Sequence, residues 1–420
     1  MRKDVLILCQ YFYPEYISSA TLPTELAEDL VKKGLSVDVL CGYPKEFYND
    51  KKIAKNEVYK GINIRRVKYT ALDNKTKFGR IINFFSFFMS VLFKLHSITK
   101  YKCIIVYSNP PILPLIPYFA SRISKTKFIF VAFDVYPDSA LILGAIKKGS
   151  IIEKIMSYIN KRVYNNASKV VALGTEMKRY MLENNITNRS DIIEVIPNWY
   201  NGEKLIKQNI IFNKEFKRLR ETFPFIVLYS GNMGLAQDMK TILRCMDKFK
   251  NNDNVLFVFT GNGNKVEHVK NYIKDNKIKN AKVYGFLLGE DYSDVLKMAD
   301  ACLVSLERGI EGIGVPSKTY GYLAAGKPVL AIMSDDTDIA RKLNEYNAGG
   351  NVIQDDIEGL EELILKFIND KELLDICSKN AKRLFNDLYE RQICTEMYYK
   401  MILEVLRNKK EFGDEVYVQR

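Results

Sequence analysis

The sequence predicts an α/β protein made of two Rossmann-like, doubly wound parallel-sheet domains. Three observations carry that expectation. The chain has 420 residues, too many for one ordinary domain and suited to two of about 200 residues each. Short apolar runs, of the kind that form strands buried on both faces, alternate with amphipathic stretches of helical period. That alternation lapses once, between Asn201 and Pro224, and then starts again. The expected domains are residues 1–200 and residues 201–394, with a C-terminal helix at about 395–420 crossing back to the first. Two such halves facing a central cleft would bind ligands at the carboxyl ends of both sheets.

The elements follow in order. Asp4–Cys9 is an apolar strand. Thr21–Lys33 is a helix with Leu22, Leu26 and Leu30 on one face, Pro23 in its first turn and Gly34 as its stop. Ser36–Cys41 is the next strand, completing a β-α-β start. Further strands are expected at Ile62–Val67, Cys103–Tyr107, Lys127–Phe133, Lys169–Ala172 and Ile192–Ile196, with helices at Leu113–Ile123, Ile151–Asn165 and Thr175–Asn184. The charged run from Asn201 to Pro224 reads as a linker. The second set of strands is Phe225–Tyr229, Val255–Thr260, Ala281–Gly285, Ala301–Ser305, Val329–Met333 and Gly350–Val352. Lys379–Arg407 reads as one long helix, and Glu411–Arg420 as a polar tail.

Composition narrows the function. The net charge is +13, which favours anionic partners. The basic excess is concentrated between Lys45 and Lys102, which contains Lys51, Lys52, Arg65, Arg66, Lys75 and Arg80. The seven cysteines form no C-x-x-C pair, so buried, reduced thiols in the cytoplasm are expected. Met1–Cys9 runs straight into a strand, without the pattern of a signal peptide. Ile81–Leu95 is strongly apolar but short for a membrane span. Its polar positions Asn83, Ser86, Ser90 and Lys94 share one helix face, so it reads as an interfacial helix, as a wall for a lipid acceptor, or as a buried core helix.

The densest chemical signal runs from Gly314 to Val329. Pro316 and Ser317 start a helix, Ser317 is expected as its N-cap, and Lys318 adds a full positive charge at an end that already favours anions. Gly326 closes the helix. A diphosphate suits that arrangement. The acidic residues expected near the cleft are Glu15, Asp134 and Asp138. They read either as groups that orient an acceptor and stabilise charge, or as loop caps and ion-pair partners.

The same stretch resembles the donor-binding segment of glycosyltransferase family 4, which ends in A-x-G-x-P-V, here Ala324–Val329. Other landmarks agree in order. Tyr11-Phe12-Tyr13-Pro14-Glu15 is similar to the family's Y-F-P-P-E loop, and Ser108-Asn109-Pro110-Pro111 to its S-x-P-P turn. Asp134-Val135-Tyr136-Pro137-Asp138 is similar to D-x-x-P-[DE], Ile196-Pro197-Asn198-Trp199 to I-P-N-[GW], and Gly261-Asn262-Gly263 to G-[DN]-G. Within the family, Gly231–Gly234, Val315–Lys318 and Asp134–Asp138 resemble the branch that transfers N-acetyl-L-fucosamine in capsule and O-antigen synthesis.

The resemblance implies the GT-B fold and a retaining, metal-independent transfer from a UDP-sugar to an undecaprenyl-diphosphate-linked glycan. The enzyme would be peripheral on the inner face of the cytoplasmic membrane, with no cofactor and no nucleic-acid partner. It places the donor near Gly231, Asn232, Met233, Gly234, Gly312, Gly314, Pro316, Ser317 and Tyr320, with the base beside Tyr284, Gly285 and Phe286. The acceptor would meet Tyr13, Pro14, Asn109 and Tyr136, and Glu15, Asp134, Asp138 and Lys318 would carry the chemistry.

The chain also departs from the family. Two glutamates that many members carry would fall at Ile313 and Gly321, and Glu311 is out of register. An Arg and a Lys that hold phosphates elsewhere are replaced by Ala236-Gln237-Asp238, so Lys318, the helix start at Ser317 and the Gly231–Gly234 backbone are expected to supply that charge. Phe133 stands where many members have a histidine, and His96 and His268 lie in no motif. Asp336-Thr337-Asp338 reads as a turn and not as a metal site. The competing readings are a UDP-sugar epimerase of the same architecture and a non-catalytic basic membrane-binding protein.

Overall fold

The computed structural model describes residues 2–44, 53–70, 72, 76–205 and 210–407. The tail Glu411–Arg420, the end of the expected C-terminal helix, and the basic positions Lys45, Lys51, Lys52 and Lys75 lie outside the described residues. The chain divides into two units. One comprises residues 1–173, 178–196 and the chain from Cys394 onward, and the other residues 174–177 and 197–393.

The first unit is an eight-stranded sheet. Its strands are β1 (Lys3–Leu8), β2 (Val37–Gly42), β3 (Asn56–Tyr59), β4 (Ile62–Val67), β5 (Tyr101–Tyr107), β6 (Lys127–Val131), β7 (Lys169–Ala172) and β8 (Ile193–Val195). The order is β3-β4-β2-β1-β5-β6-β7-β8, parallel throughout except where β3 pairs antiparallel with β4. Val5 lies in register with Val37 on one side and Cys103 on the other. Val5–Leu8 and Cys103–Val106 are fully buried, which is why they read as continuous apolar runs. Strand order reverses between β1 and β5, and at that reversal an α/β sheet opens a crevice at its carboxyl edge. β3 was not expected, because Asn56-Glu57-Val58-Tyr59 is a half-exposed edge strand with no apolar run.

Three helices differ from expectation. The first runs Ser18–Lys32, so Pro23 lies inside it and not in its first turn. The long C-terminal helix is interrupted. Lys371–Leu384 gives way to a π turn at Phe385–Tyr389 and an extended Glu390, and Arg391–Leu406 follows. From Cys394 that last helix packs in the first unit, where Thr395 donates to Asp29 at 3.0 Å and Lys127 donates to the Val405 carbonyl at 2.6 Å. The third is Lys77–Leu92, capped by Thr76. Its polar stripe faces the protein. Asn83 accepts from the Thr70 hydroxyl at 2.9 Å and the Leu72 amide at 3.0 Å, Ser86 accepts from the Thr70 amide at 2.7 Å, and Ser90 donates to the Lys68 carbonyl at 2.7 Å. Phe87, Phe88 and Val91 are buried beside that stripe, whereas Phe78, Ile81 and Phe85 are exposed. The helix is therefore only half a core helix.

The second unit is a six-stranded, wholly parallel sheet. Its strands are β9 (Phe225–Ser230), β10 (Val255–Thr260), β11 (Ala281–Tyr284), β12 (Ala301–Ser305), β13 (Val329–Ile332) and β14 (Gly349–Val352), in the order β11-β10-β9-β12-β13-β14. Its reversal falls between β9 and β12. Part of the expected linker is structured. Asn213 caps the helix Lys214–Thr222, which buries Phe216 and Leu219, and Arg220 donates to Asp300 at 2.5 Å. The surrounding charges hid that short apolar spacing. All seven cysteines are buried and free, and burial pushes the Cys41, Cys103 and Cys302 thiols up to about 12.

Candidate active site

In the second unit, the loops leaving β9, β10 and β12 meet at the reversal point. The meeting depends on glycines. At Gly261, φ is +136° and a Cβ would lie 1.9 Å from the Gly231 carbonyl oxygen, so only glycine lets the two backbones touch. Around that contact the Gly231 amide donates to the Thr260 carbonyl at 2.8 Å and the Met233 amide to the Asn262 carbonyl at 2.7 Å.

Lys318 reaches into this cluster from the start of the helix Lys318–Ala324. Its Nζ lies 3.8 Å above the centroid of the Tyr229 ring, donates to the Tyr229 hydroxyl and donates to the Asn232 carbonyl at 3.2 Å. The Tyr229 hydroxyl itself donates to that carbonyl at 2.9 Å. Among the described residues no carboxylate pairs with Lys318. Burial therefore lowers its ammonium from the ordinary 10.5 to about 7. A cation held over an aromatic ring with only dipoles around it is prepared for an anion. Lys265, from the loop after β10, is already neutralised by Glu307 at 2.5 Å.

The other donor residues separate by placement. Gly231, Asn232, Gly312, Gly314 and Ser317 lie on the loops or at the helix start. Met233 and Pro316 are buried, and Tyr320 is buried with its ring 5.0 Å from Tyr389. Gly234 is packed under Gln237, whose side chain accepts from the Gly234 amide at 2.9 Å. Ser317 is not the expected N-cap. Its backbone is already helical and its side chain makes no capping bond, while Thr319 bonds back to the Pro316 carbonyl at 2.9 Å. The Tyr284 hydroxyl donates to Glu215 at 2.6 Å and its ring packs against Phe216, which leaves Gly285 and Phe286 exposed at the end of β11.

The two positions where the family's glutamates would fall are tightly packed here. Ile313 is buried, and a Cβ on Gly321 would lie 2.7 Å from the Tyr292 hydroxyl. Glu311 is engaged within the second unit, accepting from the Gly309 amide of its own loop at 2.7 Å and from Gln354, beyond β14, at 2.5 Å. Asp336-Thr337-Asp338 is a helix start. Thr337 caps Asp338–Tyr346, and Asp338 accepts from the Thr175 amide at 2.6 Å while its own amide donates to Glu176 at 3.1 Å. The two helix beginnings thus cap one another. Desolvation and the Asp338 charge raise the Glu176 carboxyl to about 7.

In the first unit, the loops leaving β1, β5 and β6 adjoin at the carboxyl edge. The Ser108 hydroxyl accepts from the Asp134 amide at 3.1 Å, and the Ser108 amide donates to the Val131 carbonyl at 3.1 Å. These bonds tie the β5 loop, which carries Asn109, to the β6 loop at Asp134. Among the described residues nothing donates to the Asp134 carboxylate, and desolvation raises it to about 6. Tyr136 lies within the field of both Asp134 and Arg80, and its hydroxyl is raised chiefly by burial. Asp138 is a structural acceptor for the Tyr180 hydroxyl at 2.9 Å. Glu15 is buried beneath its loop, close enough to Cys9 and Cys41 to raise both thiols. Tyr13, joined to Pro14 by a cis peptide, stacks on Tyr59 at 3.9 Å. Arg66 fixes this loop from below, donating to the Tyr13 carbonyl at 2.9 Å and to Glu57 at 2.5 Å.

Reasoning from the sequence missed Tyr229, Arg66, Arg80 and Lys265. No motif marks them. Only the apolar run containing Tyr229 and the basic stretch containing Arg66 and Arg80 offered a signal.

Both halves of the chain match known transferase families. Residues 20–204 match the profile "Glycosyltransferase Family 4" and residues 211–384 match "Glycosyl transferases group 1". The chain is a glycosyltransferase of the GT-B fold. The transferase is 29% identical over 296 residues to a probable glycosyltransferase, WbjE, of Pseudomonas aeruginosa, covering 68% of this chain and 70% of that one. It is 21% identical over 340 residues to a putative colanic acid biosynthesis glycosyl transferase, WcaI, of Escherichia coli, covering 77% and 81%. In fold it is similar to HepE of Anabaena in complex with UDP and glucose, with a TM-score of 0.70, 13% identity, and coverage of 96% of this chain and 100% of that one. These matches set aside the epimerase and the non-catalytic binding protein.

Proposed function

We propose that the transferase moves a sugar, an N-acetylated amino-deoxy sugar such as N-acetyl-L-fucosamine, from UDP to an undecaprenyl-diphosphate-linked acceptor in capsule or O-antigen synthesis. The observation that carries the donor reading is the Lys318 ammonium, without a carboxylate partner, over Tyr229 and beside the Gly231 backbone. The fold likeness to HepE, which binds UDP, supports a uridine diphosphate. The likeness to a colanic acid transferase supports a surface polysaccharide.

The transfer retains anomeric configuration. The bond from the sugar's anomeric carbon to the diphosphate oxygen breaks, and the acceptor oxygen bonds to that carbon on the same face. The acceptor proton passes to the departing diphosphate. Lys318 stabilises the charge that develops there, without a metal ion. Asp134, ionised above about pH 6, orients the acceptor hydroxyl, with Asn109 and Tyr136 beside it. The test is nucleotide release from a panel of UDP-, GDP- and dTDP-sugars, with and without EDTA and with and without a membrane extract carrying lipid-linked sugars. Acceptor-dependent release from a UDP-amino-deoxy sugar is expected. Release that EDTA abolishes refutes the metal-independent step, and release only from GDP- or dTDP-sugars refutes the uridine assignment.

A further inference from the structure

The first unit holds a cavity at the edge of its sheet opposite the loops described above. Its volume is about 700 Å³, within the range of small-molecule sites. Lys3 opens β1, Tyr101 opens β5, and Asp38 and Asn63 stand second in β2 and β4. All four line the cavity, so it lies at the amino-terminal ends of these strands, whereas the loops carrying Tyr13, Asn109 and Asp134 leave the carboxyl ends. Asp38 is buried and accepts three hydrogen bonds, from Lys3 at 2.7 Å, the Tyr101 hydroxyl at 2.5 Å and Asn63 at 2.9 Å. The Tyr101 hydroxyl in turn accepts from Arg65 at 3.0 Å. The cluster is fixed before any ligand arrives, which lowers the cost of binding one.

Charge identifies the class of ligand. Arg65 and Arg66 are neighbours in β4 with different duties. Arg66 is buried and fully engaged, donating to Glu57 at 2.5 Å and to the Ala54 and Tyr13 carbonyls at 2.9 Å. Arg65 lines the cavity, has no carboxylate partner among the described residues, and keeps its Nε buried without an acceptor. Exposed Lys100, in the turn before β5, also lines the cavity and has no carboxylate partner among the described residues. The two acids of the lining are neutralised by other side chains, Asp38 by Lys3 and Glu57 by Arg66. Two cations therefore remain, matching the near-double charge of a phosphate monoester, and one of them is a guanidinium whose planar fork fits phosphate oxygens. Asn56, Asn63 and Ser97 add polar groups beside the apolar Val58 and Ile64, a lining suited to a hydroxylated carbon body and not to a bare anion.

We propose that this cavity is a second ligand site, which takes a sugar phosphate with the phosphate on Arg65 and Lys100 and the sugar hydroxyls on Asn56, Asn63 and Ser97. The site goes beyond the proposed function and does not depend on it, because none of these residues belongs to the donor or acceptor set. The test is calorimetric titration of the full chain with the 1- and 6-phosphates of glucose, mannose and galactose, with the free sugars, and with inorganic phosphate. Each titration is repeated in the presence of UDP. The variants are Arg65→Gln and Lys100→Gln. The control is Lys125→Gln, which removes an exposed charge just before β6 that does not line the cavity.

At least one hexose phosphate is expected to bind with UDP present, about tenfold more tightly than inorganic phosphate, and the free sugars are expected not to bind. Arg65→Gln and Lys100→Gln should each weaken that binding about tenfold or more and leave UDP binding unchanged, while Lys125→Gln should bind like the wild type. The hexose phosphate should also raise the melting temperature of the wild type more than that of either variant. Arg65 holds a hydrogen bond within the sheet, so Lys100→Gln, on the surface, carries the test if Arg65→Gln melts early. A wild type that binds no hexose phosphate overturns the proposal, as does binding that Lys100→Gln leaves undiminished. Binding that UDP displaces also overturns it, in favour of the donor loops. Inorganic phosphate that binds as tightly as every hexose phosphate refutes the sugar. A wild type that binds a hexose phosphate but no UDP upholds the cavity and refutes the uridine donor.

Discussion

Replacing Lys318 by methionine is expected to weaken donor binding while leaving the empty protein as stable as before, or more so. The ammonium lies over Tyr229 at 3.8 Å with the Asn232 carbonyl at 3.2 Å, and burial lowers it from 10.5 to about 7. Opposition to charging on that scale corresponds to about 5 kcal/mol if none of it were screened. The residue keeps partial exposure, which reduces the effective figure to about 2–3 kcal/mol.

The sign follows from linkage. The folded value lies below the unfolded one, so the empty protein bears the full cost below about pH 7 and gains stability as pH rises from there toward 10.5. A bound diphosphate restores the charged form, so binding above about pH 7 takes up a proton. Methionine retains most of the stem beneath Gly231 but brings no charge. A hydrogen bond to a charged phosphate contributes about 1.5–3 kcal/mol, a factor of roughly 10–150 in Kd. The assay is calorimetric titration of both proteins with a UDP-sugar, whose diphosphate diester does not titrate between about pH 6 and 9, alongside thermal unfolding of the empty proteins. Wild-type affinity should fall with rising pH toward that of the variant, whose own affinity stays flat. Equal affinities at about pH 6, or an empty variant less stable by several kcal/mol, would refute the reasoning.

Asp134→Asn should cut turnover with little change in donor KM and should remove an acid limb centred near pH 6 from the rate profile. Because burial raises this carboxyl in the fold, the wild type loses stability as pH climbs from about 4 to 6, so the Asn variant should melt higher at neutral pH and equally below about pH 4. Gly261→Ala places a Cβ 1.9 Å from the Gly231 carbonyl oxygen and should cost at least ~3 kcal/mol in denaturant unfolding together with UDP binding. An alanine protein of unchanged stability would show that the two backbones do not touch in solution. Gly321→Glu, which writes in the family's acid, should destabilise the second unit against Tyr292 and Tyr200 and leave donor affinity unimproved, as read by melting and titration.

Both sheets were legible because their strands are buried on two faces. Val5–Leu8 and Leu228–Ser230 admit almost no water, and runs of that kind leave an unbroken apolar signal. The half-exposed β3 left none. For the Lys77–Leu92 helix, spacing shows that polar residues share a face but carries no information on which way the face turns, because the 68–72 backbone that engages it is distant in pattern. Ser317 failed as a cap for a related reason. The side chain is suitable, but Thr319 and the Pro316 carbonyl close the turn first. At the candidate site the motifs located the loops and Lys318, and the residues that set its chemistry come from elsewhere in the chain. Tyr229 lies 89 positions from Lys318, and the departures at Ile313 and Gly321 acquire a cause only when Tyr292 is seen beside Gly321.

The first unit is assembled from both ends of the chain, and this sets the order in which the molecule is completed. Its sheet leaves the ribosome early, yet Asp29 and Lys127 wait for Thr395 and Val405. At about 5–20 residues per second those partners arrive roughly 10–40 seconds after Ile196. The second unit, continuous from Pro197 to Ile393 apart from the four residues 174–177, is whole before then. The half synthesised first is therefore the half finished last. Until the final helix closes over it, the nascent first unit presents an uncovered flank, the surface on which a chaperone would be expected to act.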